Sequence, residues 1–413
     1  MNNVYFQIQN ERYKKFCTQI ENLGIPIGEC ENNKYEELVS ILAEKSSITI
    51  CNNKRSFRYG YISDACHYCH KGDKSHTFIT SLECNNDCYY CANENQILKD
   101  NAPLIQQYDN YPKKDELKSI GITGGEPFLF KDEVINFIRY VKLDHPECYI
   151  RVYTCGNLID DKLIKELKDS GLDEIRVSIK PESMQDSDYN VYEVLTKCID
   201  NISNVLVEMP VFPDKEEYMQ DLLIKLNNLG VTGINLLEFL YPFHNKDEYI
   251  SRDYKIKNEP LRILYDYEYP GGLPIAGSEL LALKLINFAN DEKLNLGVHY
   301  CSLENKYTSQ IYNQNKSIKL EKWEMIDPED FFIKSILVMF NNSTECNTII
   351  DTLNLQNDEY SLKEGCLIIN PIHLHKLKDW PHEAMISYSI AEKNSYGTVI
   401  KEIHYEELNT RIL

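Results

Sequence analysis

Short β-forming runs alternate with helical segments between residues 76 and 241, and this alternation limits the fold more than any other feature. The runs lie at residues 76–82, 118–123, 149–154, 174–180, 204–212 and 233–241. Between two of them, apolar residues in Lys131–Leu143 recur with the i, i+3, i+4, i+7 spacing of a buried helix face. Strands that alternate with helices form right-handed crossovers in a parallel sheet, so the pattern predicts an α/β fold, a partial (β/α)6 barrel. Ligands of such barrels gather at the carboxyl ends of the strands.

The segments on either side of this region differ from it in character. Residues 1–75 begin with a helix-rich stretch and continue, from Cys51 to Lys74, as a cysteine-rich segment without sustained periodicity, which predicts a loop. Residues 294–300 could add one more strand. Beyond residue 303 the pattern changes, and a helix is expected over residues 328–340. We therefore predict three parts: a lead-in with a cysteine-rich loop (1–75), the barrel (76–302) and a small C-terminal α+β domain (303–413).

The composition restricts the partners of the chain. Of its 413 residues, 43% are hydrophobic and 26% are charged, which is typical of a soluble globular protein. The formal net charge of −20 disfavours nucleic acid and anionic membrane surfaces as partners. No apolar run reaches the roughly 18 residues of a membrane span. The N-terminus lacks the basic start and apolar core of a signal peptide, so a cytoplasmic location is expected.

Three of the 14 cysteines, Cys84, Cys88 and Cys91, form a C-x3-C-x2-C motif just beyond the first predicted strand. In a reducing compartment, clustered cysteines indicate metal ligands rather than disulfides. Three thiolates on one loop can bind three irons of a [4Fe–4S] cluster and leave the fourth iron open. Structural zinc prefers four closed ligands instead. The open iron would be available to the amino and carboxylate groups of S-adenosylmethionine (SAM).

A second motif, Gly124-Gly125-Glu126-Pro127, follows the second predicted strand. The two glycines allow the backbone to approach a ligand closely. The Glu126 carboxylate could accept a hydrogen bond from the SAM ammonium group. The motif lies one β/α unit after the cysteine triplet, so the carboxyl ends of adjacent strands would bring the two together.

The cysteine triplet, the aromatic Tyr90 before its last cysteine, the Gly-Gly-Glu-Pro run and the six β/α units resemble the radical SAM superfamily over residues 76–241. This resemblance implies that Tyr90 lies against the adenine of SAM and that Gly124–Glu126 bind its methionine end. It also implies that strand-end residues reach the ribose and the carboxylate: Asn157, Ser178 and Lys180. For Ser178 and Lys180, an ordinary polar pair at a strand end is the alternative interpretation.

The cysteine-rich segment before the barrel suggests a second metal site. Cys66 and Cys69 form a C-x2-C pair, Cys51 lies 15 residues earlier, and Cys301 ends a further predicted strand. Four thiolates could complete a tetrahedral iron or zinc site or ligate an auxiliary cluster. His67 or His70 could replace one of the cysteines. Free thiols near the surface are the alternative.

A narrower resemblance concerns the group that contains the methanogen enzyme that C-methylates an arginine of methyl-coenzyme M reductase. That enzyme uses cobalamin and an additional cysteine-bound iron. In this group a C-x2-C loop precedes the SAM motif and a His-Tyr-Cys-Ser-like segment follows the barrel. The resemblance implies a peptide or protein substrate and the possibility of cobalamin, although no Asp-x-His-x-x-Gly signature is present.

The sequence therefore predicts an enzyme that cleaves SAM reductively to a 5′-deoxyadenosyl radical and abstracts hydrogen from a peptide or protein. A flavodoxin or ferredoxin would supply the electron. C-methylation, cross-linking, epimerisation and activation of a glycyl-radical enzyme are the outcomes considered. A cobalamin-dependent C-methyltransferase and a non-catalytic metal-binding scaffold are the alternatives. No catalytic acid, base or radical-quenching residue stands out.

Overall fold

The computed structural model of the chain describes residues 4–96, 102–181, 190–263, 271–363, 365–377, 383–394 and 397–408. These residues form two compact units. The first unit, which contains the barrel strands, comprises the described residues from 23 to 260 and from 271 to 309. The second comprises residues 4–22 and 261–263 together with the described residues from 310 to 408. The three-part division of the sequence at residues 75 and 302 stays a prediction.

The α-helices are α1 (Val4–Leu23), α2 (Asn32–Ala43), α3 (Asp64–Cys69), α4 (Leu104–Asp109), α5 (Lys131–Asp144), α6 (Asp161–Ser170), α7 (Val191–Ile199), α8 (Glu216–Leu229), α9 (Lys246–Ser251), α10 (Ser278–Asp291), α11 (Leu303–Lys306), α12 (Thr308–Asn315) and α13 (Ser343–Leu353). The helices α6 and α8 end at Gly171 and Gly230, which adopt the left-handed conformation that suits a glycine C-cap. Over the residues that the structure describes, no helix is both long enough and apolar enough to cross a bilayer.

The strands are β1 (Ile48–Cys51), β2 (Ser56–Tyr59), β3 (Ser75–Ile79), β4 (Ser119–Thr123), β5 (Tyr149–Thr154), β6 (Glu174–Val177), β7 (Asn204–Val211), β8 (Gly233–Glu238), β9 (Leu240–Tyr241), β10 (Leu273–Pro274), β11 (Gly297–Cys301), β12 (Met325–Ile326), β13 (Ile333–Met339), β14 (Tyr360–Lys363), β15 (Cys366–Ile369), β16 (Ala384–Asn394) and β17 (Gly397–Glu407). The six β-forming runs predicted between residues 76 and 241 correspond to β3–β8, and the additional run corresponds to β11.

The first unit is built on a sheet with the strand order β1-β2-β11-β8-β7-β6-β5-β4-β3. The strands from β3 to β8, and β11 after them, run parallel, whereas β1 and β2 are antiparallel additions at one edge. Most residues of β4, β6 and β8 are buried, which explains why these strands appear in the sequence as nearly continuous apolar runs. The predicted α/β fold with a partial barrel is confirmed.

The cysteine-rich segment before the barrel is more ordered than the sequence suggested. The loop expected from Cys51 to Lys74 contains β2, which pairs with both β1 and β11, and the short helix α3. The Ser63 hydroxyl caps α3 by accepting a hydrogen bond from the Ala65 backbone N–H. Elements this short leave too few residues for a period to be recognised, so the loop prediction was wrong here.

The second unit contains an antiparallel sheet with the order β14-β15-β13-β16-β17, and β12 also pairs with β13. Alternate residues of β13 face opposite sides, with Leu337 packed in a cluster that contains Tyr5 of α1 and Ile336 in a cluster that contains Ile349 of α13. The small C-terminal α+β fold is thus present, but the helix expected over residues 328–340 is wrong. Most of this run is the strand β13, which is buried on both faces and therefore shows no alternation.

Candidate metal and SAM site

The three cysteines of the C-x3-C-x2-C motif lie on one loop that begins where β3 ends. A backbone hydrogen bond of 2.9 Å from Cys91 N to Cys88 O closes a turn between two of them. Burial raises the pKa of the Cys91 thiol, and the neighbouring Cys88 and Cys84 thiols add to this effect. Asn93 donates its side-chain amide to Gly124 O at 2.5 Å. The chemistry of this donor set, three thiols on a single loop, fits a site-differentiated cluster.

The Gly-Gly-Glu motif packs directly against this loop. Gly125 N donates to Ser81 O and Glu126 N donates to Glu83 O, both at 2.8 Å. A Cβ on Gly124 would lie 2.1 Å from Ser81 O, and a Cβ on Gly125 would lie 2.0 Å from Glu83 O. Any other residue would push the two segments apart. The sequence predicted that these two glycines let the backbone approach a ligand closely. In the structure, the backbone at these glycines closely approaches the cysteine loop.

The Glu126 side chain is 1% exposed and its oxygens accept hydrogen bonds from the protein. One oxygen accepts from the Thr154 hydroxyl at 2.8 Å and from Phe128 N at 3.1 Å, and the other accepts from Cys155 N at 2.7 Å. The carboxylate thus connects the end of β4 to the end of β5. Its predicted contact with the SAM ammonium stays a prediction, and the structure adds a positioning role that the sequence did not reveal.

The end of β5 also contacts the cysteine loop through amide groups. Asn85 donates to Asn157 Oδ1 at 3.2 Å, and Asn86 donates to Cys155 Sγ at 3.1 Å. The Cys155 thiol in turn donates to Asn157 Oδ1 at 2.8 Å, and burial raises its pKa to about 12. A neutral, hydrogen-bonded thiol fits packing better than chemistry. Asn157 is thereby placed beside the loop, and its predicted contact with SAM stays a prediction.

Ser178 and Lys180 follow β6 on the same side of the sheet. Ser178 N donates to Thr154 O at 2.9 Å, which continues the ladder between β5 and β6. The positive charge of Lys180 lowers the pKa of the Cys155 thiol, against the larger effect of burial, which raises it. Both residues directly follow β6, and their predicted contacts with SAM stay a prediction.

Tyr90 packs among aromatic side chains from the ends of β7 and β8. Its ring lies 5.4 Å from that of Phe212 and 5.9 Å from that of Phe239, in edge-on orientations. Phe239 stacks on Tyr249 with ring centroids 5.7 Å apart. Such contacts fix the plane of the Tyr90 ring. The sequence identified Tyr90 but not its partners, because those residues are aromatic positions without a motif.

A loop after β9 closes over the cysteine loop and was also missed. The Nε2 of His244 lies 2.9 Å from Cys91 O, and because a carbonyl only accepts, this nitrogen carries the proton. Asn245 donates its amide to Tyr89 O at 3.2 Å. Phe243 and Asn245 have positive φ angles of 67° and 54°, a strained backbone that often marks a functional region. This unusual backbone geometry leaves no trace in the sequence pattern.

The four cysteines of the predicted second site surround one cavity of about 360 Å³ inside the first unit. Cys51 and Cys301 lie on strands that flank β2, and each is directly opposite Ser56. Residues opposite each other in an antiparallel ladder project to the same face, so these two thiols share a face. The other two cysteines come from α3, which packs against β3–β5. The cavity lining contains Cys51, Cys66, Cys69 and Cys301, as well as His67 and His70.

Basic side chains surround these thiols. Although burial opposes ionisation, Arg176 and His299 lower the pKa of Cys66 to about 6. Arg176 Nη2 lies 3.5 Å from Cys66 Sγ. Burial raises the pKa of Cys69, and nearby Arg151 counteracts this effect. In the parts of the chain with described side chains, no three His, Cys, Asp or Glu groups form a ready-made site for a single ion.

The turn after Cys51 is strained in a way that positions this cysteine. Asn52, Asn53 and Lys54 are three consecutive residues with φ between 50° and 62°. A left-handed conformation costs a non-glycine residue about 1–2 kcal/mol. The side chain of Asn52 donates to Asn305 Oδ1 at 2.5 Å, and Asn305 donates to Cys301 Sγ at 3.2 Å. This chain of contacts connects the strained turn to Cys301.

The fold and the cysteine loop are those of radical SAM proteins, and residues 78–226 match the family model of the radical SAM superfamily. This matched part of the chain is a radical SAM domain. The superfamily and fold-class predictions are therefore confirmed, whereas the assignments of individual site residues stay predictions.

Similar proteins cover different parts of the chain. A Methanocaldococcus jannaschii protein that bears the name of a glycyl-radical enzyme activating enzyme is 28% identical over 76% of this chain and 84% of its own length. The GTP 3′,8-cyclase of Aliarcobacter butzleri is 27% identical over 40% of this chain and 54% of that enzyme. The structure of Streptococcus suis SuiB bound to S-adenosylmethionine is 12% identical, covers 60% of this chain and 51% of SuiB, and has a TM-score of 0.37. The chain thus spans most of the first relative and about half of the other two.

Replacement of Gly125 by alanine should separate the Gly-Gly-Glu turn from the cysteine loop, because the added Cβ would overlap Glu83 O. We expect the iron content after anaerobic reconstitution to fall severalfold while the far-ultraviolet circular dichroism stays unchanged. Gly230→Ala is the control: it strains the left-handed end of α8, but its Cβ meets no atom within 4 Å, so the iron content should not change. Full iron content in Gly125→Ala would contradict the role assigned to this contact.

Proposed function

We propose that Cys84, Cys88 and Cys91 bind a [4Fe–4S] cluster and that the protein uses it to cleave SAM. The observation that carries this proposal is the packing of the cysteine loop against the Gly-Gly-Glu turn. Both parts of the cofactor site are thereby fixed relative to each other at the carboxyl ends of β3 and β4. When bound, the cluster with SAM on its open iron supplies an electron that cleaves SAM to methionine and a 5′-deoxyadenosyl radical.

The protein residues around this site have separate tasks in the proposal. The three thiols bind the irons, and Glu126 keeps the ends of β4 and β5 in register. Tyr90, fixed by its aromatic neighbours, provides a flat surface for the adenine. Asn157 offers hydrogen-bonding groups at the end of β5, as do Ser178 and Lys180 beyond β6. These residues orient the nucleotide and exclude water, while the radical chemistry belongs to the cofactor.

We further propose a peptide or protein substrate. This proposal is supported by the relative named for glycyl-radical enzyme activation, since the substrate of an activating enzyme is itself a protein. The same similarity makes abstraction of a glycine hydrogen a specific candidate reaction beside C-methylation, cross-linking and epimerisation. The net charge of −20 favours a neutral or cationic segment over an acidic one. A flavodoxin or ferredoxin would act as the electron donor.

Reductive cleavage of SAM provides the direct test. With dithionite and SAM, the reconstituted wild-type chain should form 5′-deoxyadenosine, measured by liquid chromatography, and the Cys84/Cys88/Cys91→Ala variant should lose at least about 100-fold of this activity, because no cluster remains to deliver the electron. Cys30→Ala is the control, since Cys30 is exposed and lies apart from these motifs. Equal product from the triple variant and the wild type would overturn the proposal.

The substrate class can be tested by fractionating an anaerobic cell extract by size. A fraction above about 10 kDa should increase the rate of 5′-deoxyadenosine formation several-fold, because substrate binding couples SAM cleavage to hydrogen abstraction. The fraction of small molecules should not. Treatment of the large fraction with protease, followed by removal of the protease and the digest, should abolish the increase. Stimulation by the small-molecule fraction alone would argue against a protein substrate, and a corrinoid spectrum after cobalamin supplementation would favour the methyltransferase alternative.

We also propose that Cys51, Cys66, Cys69 and Cys301 bind a second metal centre, either an iron or zinc ion or an auxiliary cluster. Support comes from their common cavity and from the strained turn that follows Cys51. Because thiolates rather than thiols bind metals, the lowered pKa of Cys66 favours this use. The two centres would thus use two separate sets of cysteines.

The two sets predict opposite results in matched variants. Cys66→Ser/Cys69→Ser should lose only the second metal and retain about four irons per chain, as expected for one cluster. Cys84/Cys88/Cys91→Ala should retain the second metal and lose the cluster, as measured by elemental analysis and sulfide content. A wild-type chain with no metal beyond the first cluster would contradict the second site.

A further inference from the structure

The His244 loop, residues 242–245 after β9, holds the end of the cysteine loop. The Nε2 of His244 donates to Cys91 O at 2.9 Å, and the side-chain amide of Asn245 donates to Tyr89 O at 3.2 Å. Two neighbouring side chains thus bind the carbonyl of the last cysteine of the motif and a carbonyl two residues before it. They fix the course of the backbone through this part of the cysteine loop.

The residues just after the last cysteine return the contact. Asn95 donates its side-chain amide to Pro242 O at 2.6 Å and to Gly271 O at 3.1 Å. These two acceptors lie just after β9 and close before β10, two strands that pair with each other. The Nδ1 of His244 lies 3.5 Å from Glu94 Oε2. The two loops are therefore joined by hydrogen bonds that are donated from both sides.

The backbone of the His244 loop adopts an unusual conformation. Phe243 and Asn245 are left-handed, with φ angles of 67° and 54°. This conformation is unfavourable for a bulky residue such as phenylalanine, whereas asparagine tolerates it better. Strain of this kind persists only where surrounding contacts hold it, and it is found most often at functional sites. The hydrogen bonds of His244 and Asn245 to the cysteine loop are contacts that can hold it.

The two ends of the cysteine loop are thus anchored by different parts of the barrel. The Gly-Gly-Glu turn after β4 binds the beginning of the loop at Ser81 and Glu83, beside Cys84. The His244 loop binds its end at Cys91. Metal ligands keep a fixed geometry when the contacts around them restrain the segment that carries them.

Building on the cluster proposed above for the three cysteines, we infer that His244 is a positioning residue for Cys91. Its N–H fixes the Cys91 carbonyl, which limits the directions in which the thiol of the same residue can point. His244 binds neither iron nor SAM in this role. Asn245 supports it by holding the backbone two residues earlier.

The inference predicts that a hydrogen-bond donor at position 244, rather than an imidazole ring, keeps the cluster in place. His244→Gln retains an N–H for the carbonyl, whereas His244→Met has a similar length and no donor. After anaerobic reconstitution, His244→Met should release iron to a ferrous chelator about three- to tenfold faster than the wild type, the factor expected for one lost neutral hydrogen bond. His244→Gln should stay within about twofold of the wild-type rate.

Two controls accompany this measurement. Iron released by the triple cysteine-to-alanine variant is subtracted, so that a second metal centre does not contribute. His375→Met should leave iron release unchanged, because the Nδ1 of this exposed histidine lies 2.9 Å from Ile372 O, a similar contact within the second unit. Far-ultraviolet circular dichroism checks that each variant folds.

Asn245→Gly is the second variant should His244→Met not fold. Glycine readily adopts a φ of 54°, so this change removes the hydrogen bond to Tyr89 O without adding backbone strain. Its iron release should also be faster than that of the wild type. Release at the wild-type rate from this variant would count against the His244 loop as an anchor.

The outcomes separate this inference from the proposed function. Faster release from His244→Met, with His244→Gln close to the wild type, supports the inference. Release from His244→Gln as fast as from His244→Met overturns the role of the N–H and leaves the cluster proposal in place. A wild-type chain that releases no more iron than the triple cysteine variant overturns the cluster proposal and this inference with it.

Discussion

The contact between the Gly-Gly-Glu turn and the cysteine loop is the constraint on which the rest of the site depends. Two backbone hydrogen bonds join the segments, and the absence of Cβ atoms on Gly124 and Gly125 lets them approach. Glu126 extends the connection to the end of β5 through Thr154 and Cys155. The positions of the thiols are therefore determined by the edge of the sheet as much as by the loop that bears them, which is how a short irregular loop can present a fixed set of ligands.

Much of the barrel could be predicted because each parallel strand is buried on both faces and therefore appears in the sequence as a short apolar run. A segment with helical periodicity then separates it from the next run. The same property made β13 look like a helix, since a short run of buried residues has no period of its own. Within the site, motifs identified the cysteines and the glycines. The His244 loop and the aromatic neighbours of Tyr90 could not be found, because their contacts join residues more than 100 positions apart and follow no local pattern.

The two groups of cysteines occupy contrasting surroundings within one unit. The loop of Cys84 is partly exposed at the strand ends, where a substrate or nucleotide can approach. Cys66 and Cys69 instead line a cavity to which the buried side chains of Arg151 and Arg176 also contribute. In the proposed scheme the first centre exchanges its ligand in each turnover, whereas the second centre retains its metal beside buried basic side chains. Two sets of thiols in one unit can thus serve different requirements, depending on what surrounds them.

The antiparallel pairing of β2 with β11 joins residues that are far apart in the chain, since Ser56 lies opposite Cys301. β11 also pairs with β8, so one late strand completes two ladders at once. Until that strand has been synthesised and has docked, β2 and β8 both present unpaired backbone groups to solvent, which invites association between nascent chains. Truncated chains that end before residue 301 would expose both edges permanently. The smallest barrel that folds by itself therefore extends well beyond the six β/α units of residues 76–241.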